Sequence, residues 1–194
     1  TDNGVNMLDP GETPNENIQF LLVLACIIKA VDVHADLLRQ SASDVGNDHR
    51  LGGYEAPPAI MSVFLGEQLE DVVKQLVETG EASHCLEGVK METGVSAIPD
   101  LAKDATDRNR TSPFAFTGHT FEFRIPGPGV NPSACNMILN TALPNSLQDL
   151  ADAMEDKDGE EFAAAALHYT RHAMPAHQPI HFHTNRPSPE HTRE

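Results

Sequence analysis

Between residues 14 and 40 the chain carries its longest apolar run, Phe20–Val31 (FLLVLACIIKAV), broken only by Lys29. At about 12 residues it falls well short of the roughly 20 needed to cross a bilayer. It reads instead as a helix buried on nearly all sides within a large assembly. Thr13-Pro14-Asn15-Glu16 marks a start: Thr13 as N-cap, Pro14 at the first helical position, Glu16 closing a capping box. The predicted helix runs from Pro14 to about Gln40. A glycine-rich turn region, Gly46–Tyr54, follows, and Ala56–Leu65 (APPAIMSVFL) has the β-branched and aromatic content of a strand leaving a Pro-Pro kink.

Over Glu67–Thr79 the period changes. Leu69, Val72, Val73, Leu76 and Val77 share one helical face and Gly80 stands just beyond, an amphipathic helix with its stop signal. Residues 81–107 show little periodicity and read as a surface excursion. Two short strands are predicted next, near Phe114–Thr117 and Thr120–Ile125, joined by a tight turn at Gly118-His119. Asn131-Pro132 opens a helix to about Leu143, Ser146 opens another, and a third runs from about Gly159 to Ala173. Without internal repeats, the pattern predicts an α+β fold with few antiparallel strands flanked by helices.

Composition narrows the partners. The chain has 13 Lys+Arg against 29 Asp+Glu, a formal net charge of −16, so a basic face for nucleic acid is not expected. An acidic protein still binds ATP where a few arginines converge and a divalent cation bridges the charges. Cys26, Cys85 and Cys135 are widely spaced, odd in number and without CxxC, which suits reduced thiols in a cytoplasmic chain. The polar, acidic start, TDNGVNMLDPGETP, has neither signal-peptide character nor an initiator Met, and is expected to be an internal stretch of a longer protein.

Candidate chemistry sits in two places. In Phe121-Glu122-Phe123-Arg124, Glu122 and Arg124 share one strand face and the phenylalanines the other. A carboxylate beside a guanidinium suits a metal–phosphate site, the acid holding Mg²⁺ or Mn²⁺ and the arginine offsetting phosphoryl charge. A surface ion pair on an amphipathic strand gives the same pattern. Arg108 and Arg110 precede Thr111-Ser112-Pro113 on a loop suited to clamping phosphates. Arg50 and Glu55 bracket Leu51-Gly52-Gly53-Tyr54, either a mobile lid carrying a general base or a plain turn with a solvated glutamate.

Taken together and in order, Asn47–Gly66 (NDHRLGGYEAPPAIMSVFLG) and Asp104–Arg124 (DATDRNRTSPFAFTGHTFEFR) resemble the substrate flap and the nucleotide/metal segment of glutamine synthetases, specifically the long bacterial type III class. The resemblance covers roughly residues 1–155, the C-terminal part of the catalytic domain; 156–194 are a terminal helix and a His/Pro-rich tail. It implies ATP-dependent ligation of ammonia to L-glutamate through γ-glutamyl phosphate, with ATP and Mg²⁺ or Mn²⁺ as cofactors. By resemblance Arg50 binds the substrate glutamate carboxylate and Glu55 is the flap acid that takes a proton from ammonium. Arg110 contacts ATP phosphates, Glu122 ligates metal, and Arg124 stabilises the transferring phosphoryl group. The implied partners are glutamate, ammonium and ATP in a cytoplasmic homo-oligomer, a dodecamer when intact, with no nucleic acid and no membrane.

Three departures accompany the resemblance. Ala115 stands where types I and II carry a second arginine, and Thr120 where type III usually has a basic residue. The metal motif expected before Thr1, the N-terminal β-grasp domain and the strands bearing most metal glutamates are absent, so the chain alone is expected to be inactive. The alternative is a non-catalytic remnant or binding module from a truncated gene. In the tail, His181 and His183 form an HxH that suits Zn²⁺ or Cu²⁺, or belong to a disordered terminus.

Overall fold

The computed structural model describes residues 3–53, 56–86, 90–91, 101–102, 112–177 and 180. Six helices appear among them: α1 (Ile18–Val33), α2 (Ala35–Ser41), α3 (Val45–Arg50), α4 (Glu67–Thr79), α5 (Pro132–Met154) and α6 (Gly159–Ala176). Five short strands accompany these: β1 (Val63–Phe64), β2 (Lys90–Met91), β3 (Leu101–Ala102), β4 (Phe114–Phe116) and β5 (Phe121–Phe123). The class is α+β. Strands β1, β4 and β5 form one sheet in that order, with β1 parallel to β4 and β4 antiparallel to β5. Strands β2 and β3 pair antiparallel inside the stretch expected to be a surface excursion.

Helix α1 is the hub, as its long apolar run predicts. Phe20, Leu24, Cys26, Ile28 and Val31 are all but inaccessible, and α1 packs on both α5 and α6. Each such side chain contributes about 1.5–3 kcal/mol of burial free energy before entropy is charged against it. The single charge in the run, Lys29, reaches outward to Asp149 of α5 at 2.7 Å. At the far end of α1, Asp32 Oδ2 meets His177 Nδ1, just past α6, at 2.6 Å. Phe20 also touches the sheet, its ring 6.0 Å from that of Phe116.

Several boundaries differ from the sequence expectation. The first helix starts at Ile18 rather than Pro14, because the Asn17 side chain accepts the Phe20 N–H and takes the capping role assigned to Thr13. It breaks at His34, so that α1 and α2 replace one long helix. The predicted strand over 56–65 shortens to β1. The helices expected on either side of Pro144 are one helix, α5. Pro144 is exposed, so the carbonyl four residues earlier loses its N–H donor on the solvent side, within reach of water. Helix α4 matches the expectation at both ends, with Leu69, Val72, Val73 and Leu76 buried and Gly80 in the left-handed conformation at φ 77°. Arg171 of α6 donates through Nε to the Gly80 carbonyl and pairs through Nη2 with Glu81 at 3.1 Å, fixing α6 against that cap.

One carboxylate in this frame is poorly placed for charge. Glu70, in the first turn of α4, is half-buried, and its Oε1 has no hydrogen-bond partner among the described residues. Burial first, and then the neighbouring Glu67 carboxylate, push its pKa up from 4.5 to about 7. The folded state therefore holds this proton more tightly than the unfolded chain, and stability falls as pH rises from about 4.5 to about 7. Glu70→Gln should flatten that decline and raise stability at pH 8 by about 1 kcal/mol, the full shift being discounted for solvent screening. Urea melts of both proteins at pH 5 and pH 8 measure it; equal pH slopes would refute the assignment.

Candidate functional site

Strand β5 carries the densest chemistry, and the two-residue period sorts it. Phe121 and Phe123 pack across the hairpin on Phe114 and Phe116, with ring centroids 4.9 Å apart for Phe114–Phe121 and 5.2 Å for Phe116–Phe121. That aromatic layer faces α1. Glu122 and Arg124 take the opposite face, where Arg124 Nε donates to Glu122 Oε2 at 3.0 Å. The Arg124 side chain is largely covered, at 11% exposure, while that of Glu122 is open at 55%. A covered cation beside an exposed acid leaves the acid free to meet an incoming ligand while the arginine keeps its geometry. The antiparallel ladder continues past β5, since Arg124 N–H donates to the Pro113 carbonyl at 2.8 Å.

An apolar cavity of about 380 Å³ lies on the other side of the sheet, lined by Phe114, Phe121, Phe123, Ile27, Leu139 and neighbouring residues. Among the described residues no charged side chain lines it. It does not suit a phosphate or an amino acid, so the candidate site is the Glu122/Arg124 face.

Arg50 arrives at that strand from a different element. The sequence expectation placed 46–54 in a turn, yet residues 45–50 form α3. Asp44 caps this helix by accepting from Gly46 N–H at 2.8 Å and Asn47 N–H at 3.0 Å, which outweighs the low helix propensity of Gly46. Asp48 ties the outer side down, bonded by Arg39 Nη2 at 2.7 Å and Ser43 Oγ at 2.8 Å. The Arg39 hydrogen bond, then that of Ser43, holds the Asp48 carboxyl below its usual range. From the last turn of α3, Arg50 Nη2 donates to the carbonyl of Ile125 at 2.7 Å. Ile125 directly follows Arg124, so the structure brings Arg50 to the end of the strand that carries Glu122 and Arg124.

Asn47, which sequence reasoning passed over, makes the join. Its side chain is buried and donates through Nδ2 to Ala42 O at 2.6 Å and Ile125 O at 3.1 Å, while its Oδ1 accepts from Arg50 Nε at 3.0 Å. Opposite stands Gly127, where an added Cβ would lie 2.5 Å from Asn47 Oδ1. The Asn-x-x-Arg spacing is the available signal, but it is meaningful only once 45–50 is known to be helical. Beyond α3 the chain turns sharply. Gly52 has φ +76° and its N–H donates to the Pro57 carbonyl at 2.9 Å, closing a short loop. Glu55, Arg108 and Arg110 lie outside the described residues, as do His181 and His183. Among the described residues no three His, Cys, Asp or Glu side chains converge as a metal centre. No helix among those residues is long and apolar enough to cross a membrane.

No protein-family model matches the chain. Among curated proteins, the type-3 glutamine synthetase of Dictyostelium discoideum is 49% identical over 148 residues, covering 76% of this chain and 20% of that protein. A glutamine synthetase of Butyrivibrio fibrisolvens is 55% identical over 122 residues, 63% of this chain and 17% of that protein. The glutamine synthetase of Bacteroides fragilis is 39% identical over 188 residues, 94% of this chain and 26% of that protein. The chain is related to one segment of the glutamine synthetases, the type-3 form among them. It spans roughly a fifth to a quarter of the relatives' lengths.

The two departures within the segment aligned to these relatives occupy defined places. Ala115 pairs with Glu122 across the hairpin and is fully buried, so the central strand offers no room for a long basic side chain beside the acid. Thr120 is engaged in the turn: its carbonyl accepts Thr117 N–H at 2.9 Å, and the two hydroxyls meet at 2.7 Å.

The join is open to a mutational test. Asn47→Ala leaves the Ala42 carbonyl short of its donor in a buried position and should cost about 2–3 kcal/mol in denaturant melts. Gly127→Ala should cost about 1–3 kcal/mol by crowding Asn47. The double variant should be less destabilised than the sum of the two, since removing the Asn47 side chain removes the clash. Strict additivity would mean that Asn47 and Gly127 do not meet as described.

Proposed function

We propose that this chain is the flap-and-phosphate portion of a glutamine synthetase catalytic domain. In the intact protein it takes part in the ATP-dependent joining of ammonia to L-glutamate through γ-glutamyl phosphate. The observation that supports this reading is the hydrogen bond from Arg50 to the Ile125 carbonyl, which ties the arginine of one family motif to the end of the strand that carries the Glu122–Arg124 pair of the other. Relatives bearing that name align over most of the chain.

In this reading Arg50 receives the α-carboxylate of glutamate. Arg124, fixed by the strand and largely covered, offsets the charge that spreads over phosphoryl oxygens in the transition state without having to reorganise. Glu55 follows the left-handed Gly52 and acts as the flap acid that accepts a proton from ammonium; a closing flap also excludes water that would hydrolyse the acyl phosphate. Arg110 contacts the ATP phosphates. Glu122 supplies one carboxylate toward Mg²⁺ or Mn²⁺, which in the full site would draw its remaining ligands from outside this chain. The proposed setting is a cytoplasmic homo-oligomer, a dodecamer, with no nucleic-acid or membrane partner. One carboxylate cannot hold a catalytic metal pair, so the 194-residue chain alone should form no glutamine. Phosphate release from it that requires both glutamate and ammonium would refute that part. The alternative, a non-catalytic remnant or binding module from a truncated gene, applies if no metal-binding strands lie upstream of this segment in the natural protein.

Roles separate in a full-length enzyme containing this segment. Glu55→Ala should lower turnover by about 10²-fold or more with ATP binding nearly unchanged, as loss of a general base does. Glu122→Ala should weaken metal and nucleotide binding together, because the cation links them. Kinetics and nucleotide titrations on both variants decide the matter: equal loss of ATP affinity would remove Glu55 from the flap role.

A further inference from the structure

Helix α6 turns a narrow stripe inward, Ala166, Thr170 and Met174, all buried and four residues apart. His168 and His172 each stand two positions further on, about 200° round the helix from that stripe, and both are exposed. Spacing of four residues stacks them on one face. Their Nε2 atoms are 3.0 Å apart and their ring centroids 4.2 Å. Without a cation, one of these nitrogens must donate a proton to the other. With both protonated on Nδ1 instead, two lone pairs converge on the same point in solvent.

We propose that His168 and His172 form a two-imidazole site for a borderline transition-metal dication such as Ni²⁺, Cu²⁺ or Zn²⁺, with water completing its coordination. The separation fits. Two metal–nitrogen bonds of about 2.0–2.1 Å place the nitrogens about 2.9 Å apart at a right angle and about 3.3 Å apart at the tetrahedral angle. The observed 3.0 Å lies between them. Donor chemistry sets the selectivity, since imidazole suits Ni²⁺, Cu²⁺ and Zn²⁺ whereas Mg²⁺ is held by oxygen. The site is therefore separate in place and in kind from the oxygen-rich chemistry proposed at Glu122. A formal net charge of −16 raises the local concentration of cations. Because the helix holds both rings in register, and unfolding separates them, the metal binds the folded chain preferentially and stabilises it.

The test is thermal unfolding of the 194-residue chain, followed by circular dichroism, with NiCl₂ or MgCl₂. Ni²⁺ at about a hundred times its Kd should raise the melting temperature by about 5–10 °C. Mg²⁺ at the same concentration should leave it unchanged. His172→Ala should weaken Ni²⁺ binding at least about tenfold, and His168→Ala/His172→Ala should abolish the shift. Both positions are exposed and alanine favours helix, so the variants fold; His168→Gln/His172→Gln repeats the test with polar side chains. An undiminished Ni²⁺ shift in the double variants would assign the metal to other histidines, His181 and His183 among them, and overturn the proposal. So would the absence of any shift in the unaltered chain.

Discussion

One carbonyl oxygen, that of Ile125, fixes how the two functional segments meet. It receives the Asn47 amide at 3.1 Å and the Arg50 guanidinium at 2.7 Å, in a place where Ile125 is fully buried and Asn47 nearly so. The next residue is Pro126, which has no N–H to extend the ladder, so the strand stops there and its last carbonyl turns to side chains for donors. Burial raises the stakes of each bond, because an unmet carbonyl or amide in that position has no water to fall back on. Helix α3 is only six residues long, too short to persist without such support. Its place depends on Asn47 on the inner side and on Asp44 and Asp48 at its start and outer side.

Around this join the fold keeps two kinds of chemistry apart. The apolar face of the β4–β5 hairpin stacks its four phenylalanines toward α1, the most deeply buried helix among the described residues. The opposite face presents Glu122 with Arg124 behind it. A period of two residues makes that separation automatic, and packing on one side is what gives the charged side a fixed geometry. Arg50 enters from beyond the hairpin with two of its donors, Nε and Nη2, already engaged in the frame. Those bonds fix the orientation of the guanidinium; in the proposed role such preorganisation favours binding of an anionic substrate.

Strong local signals were legible in the sequence. Helix α4 has a five-residue apolar stripe and a left-handed glycine at its end, and nothing tertiary competes with them. The hairpin shows itself through Gly118 at φ +96° between alternating aromatics, and the shared face of Glu122 and Arg124 follows from it. What was not legible depended on partners distant in sequence. Asp44 and Asn47 turn a glycine-containing stretch into α3, but Asn47 does so by reaching a residue 78 positions away. The parallel pairing of β1 with β4 joins Val63 to Phe114, and no local pattern encodes it. Pro144 argues for a helix break, yet its exposed position lets α5 continue. The roles assigned to Arg50, Glu55, Arg110, Glu122 and Arg124 rest on resemblance; the residue pattern alone favours a surface ion pair and an ordinary turn.

In the proposed function Arg50 serves substrate as well as structure. Steady-state kinetics of Arg50→Lys in a full-length enzyme containing this segment, with a thermal melt of the same protein, addresses it directly. Lysine keeps the charge but loses the planar fork. The KM for glutamate should rise at least about tenfold while the KM for ATP stays within about twofold, a loss confined to binding of the amino-acid carboxylate. A variant whose KM values are both unchanged and whose melting temperature alone falls would contradict it, leaving Arg50 as a strut between α3 and β5.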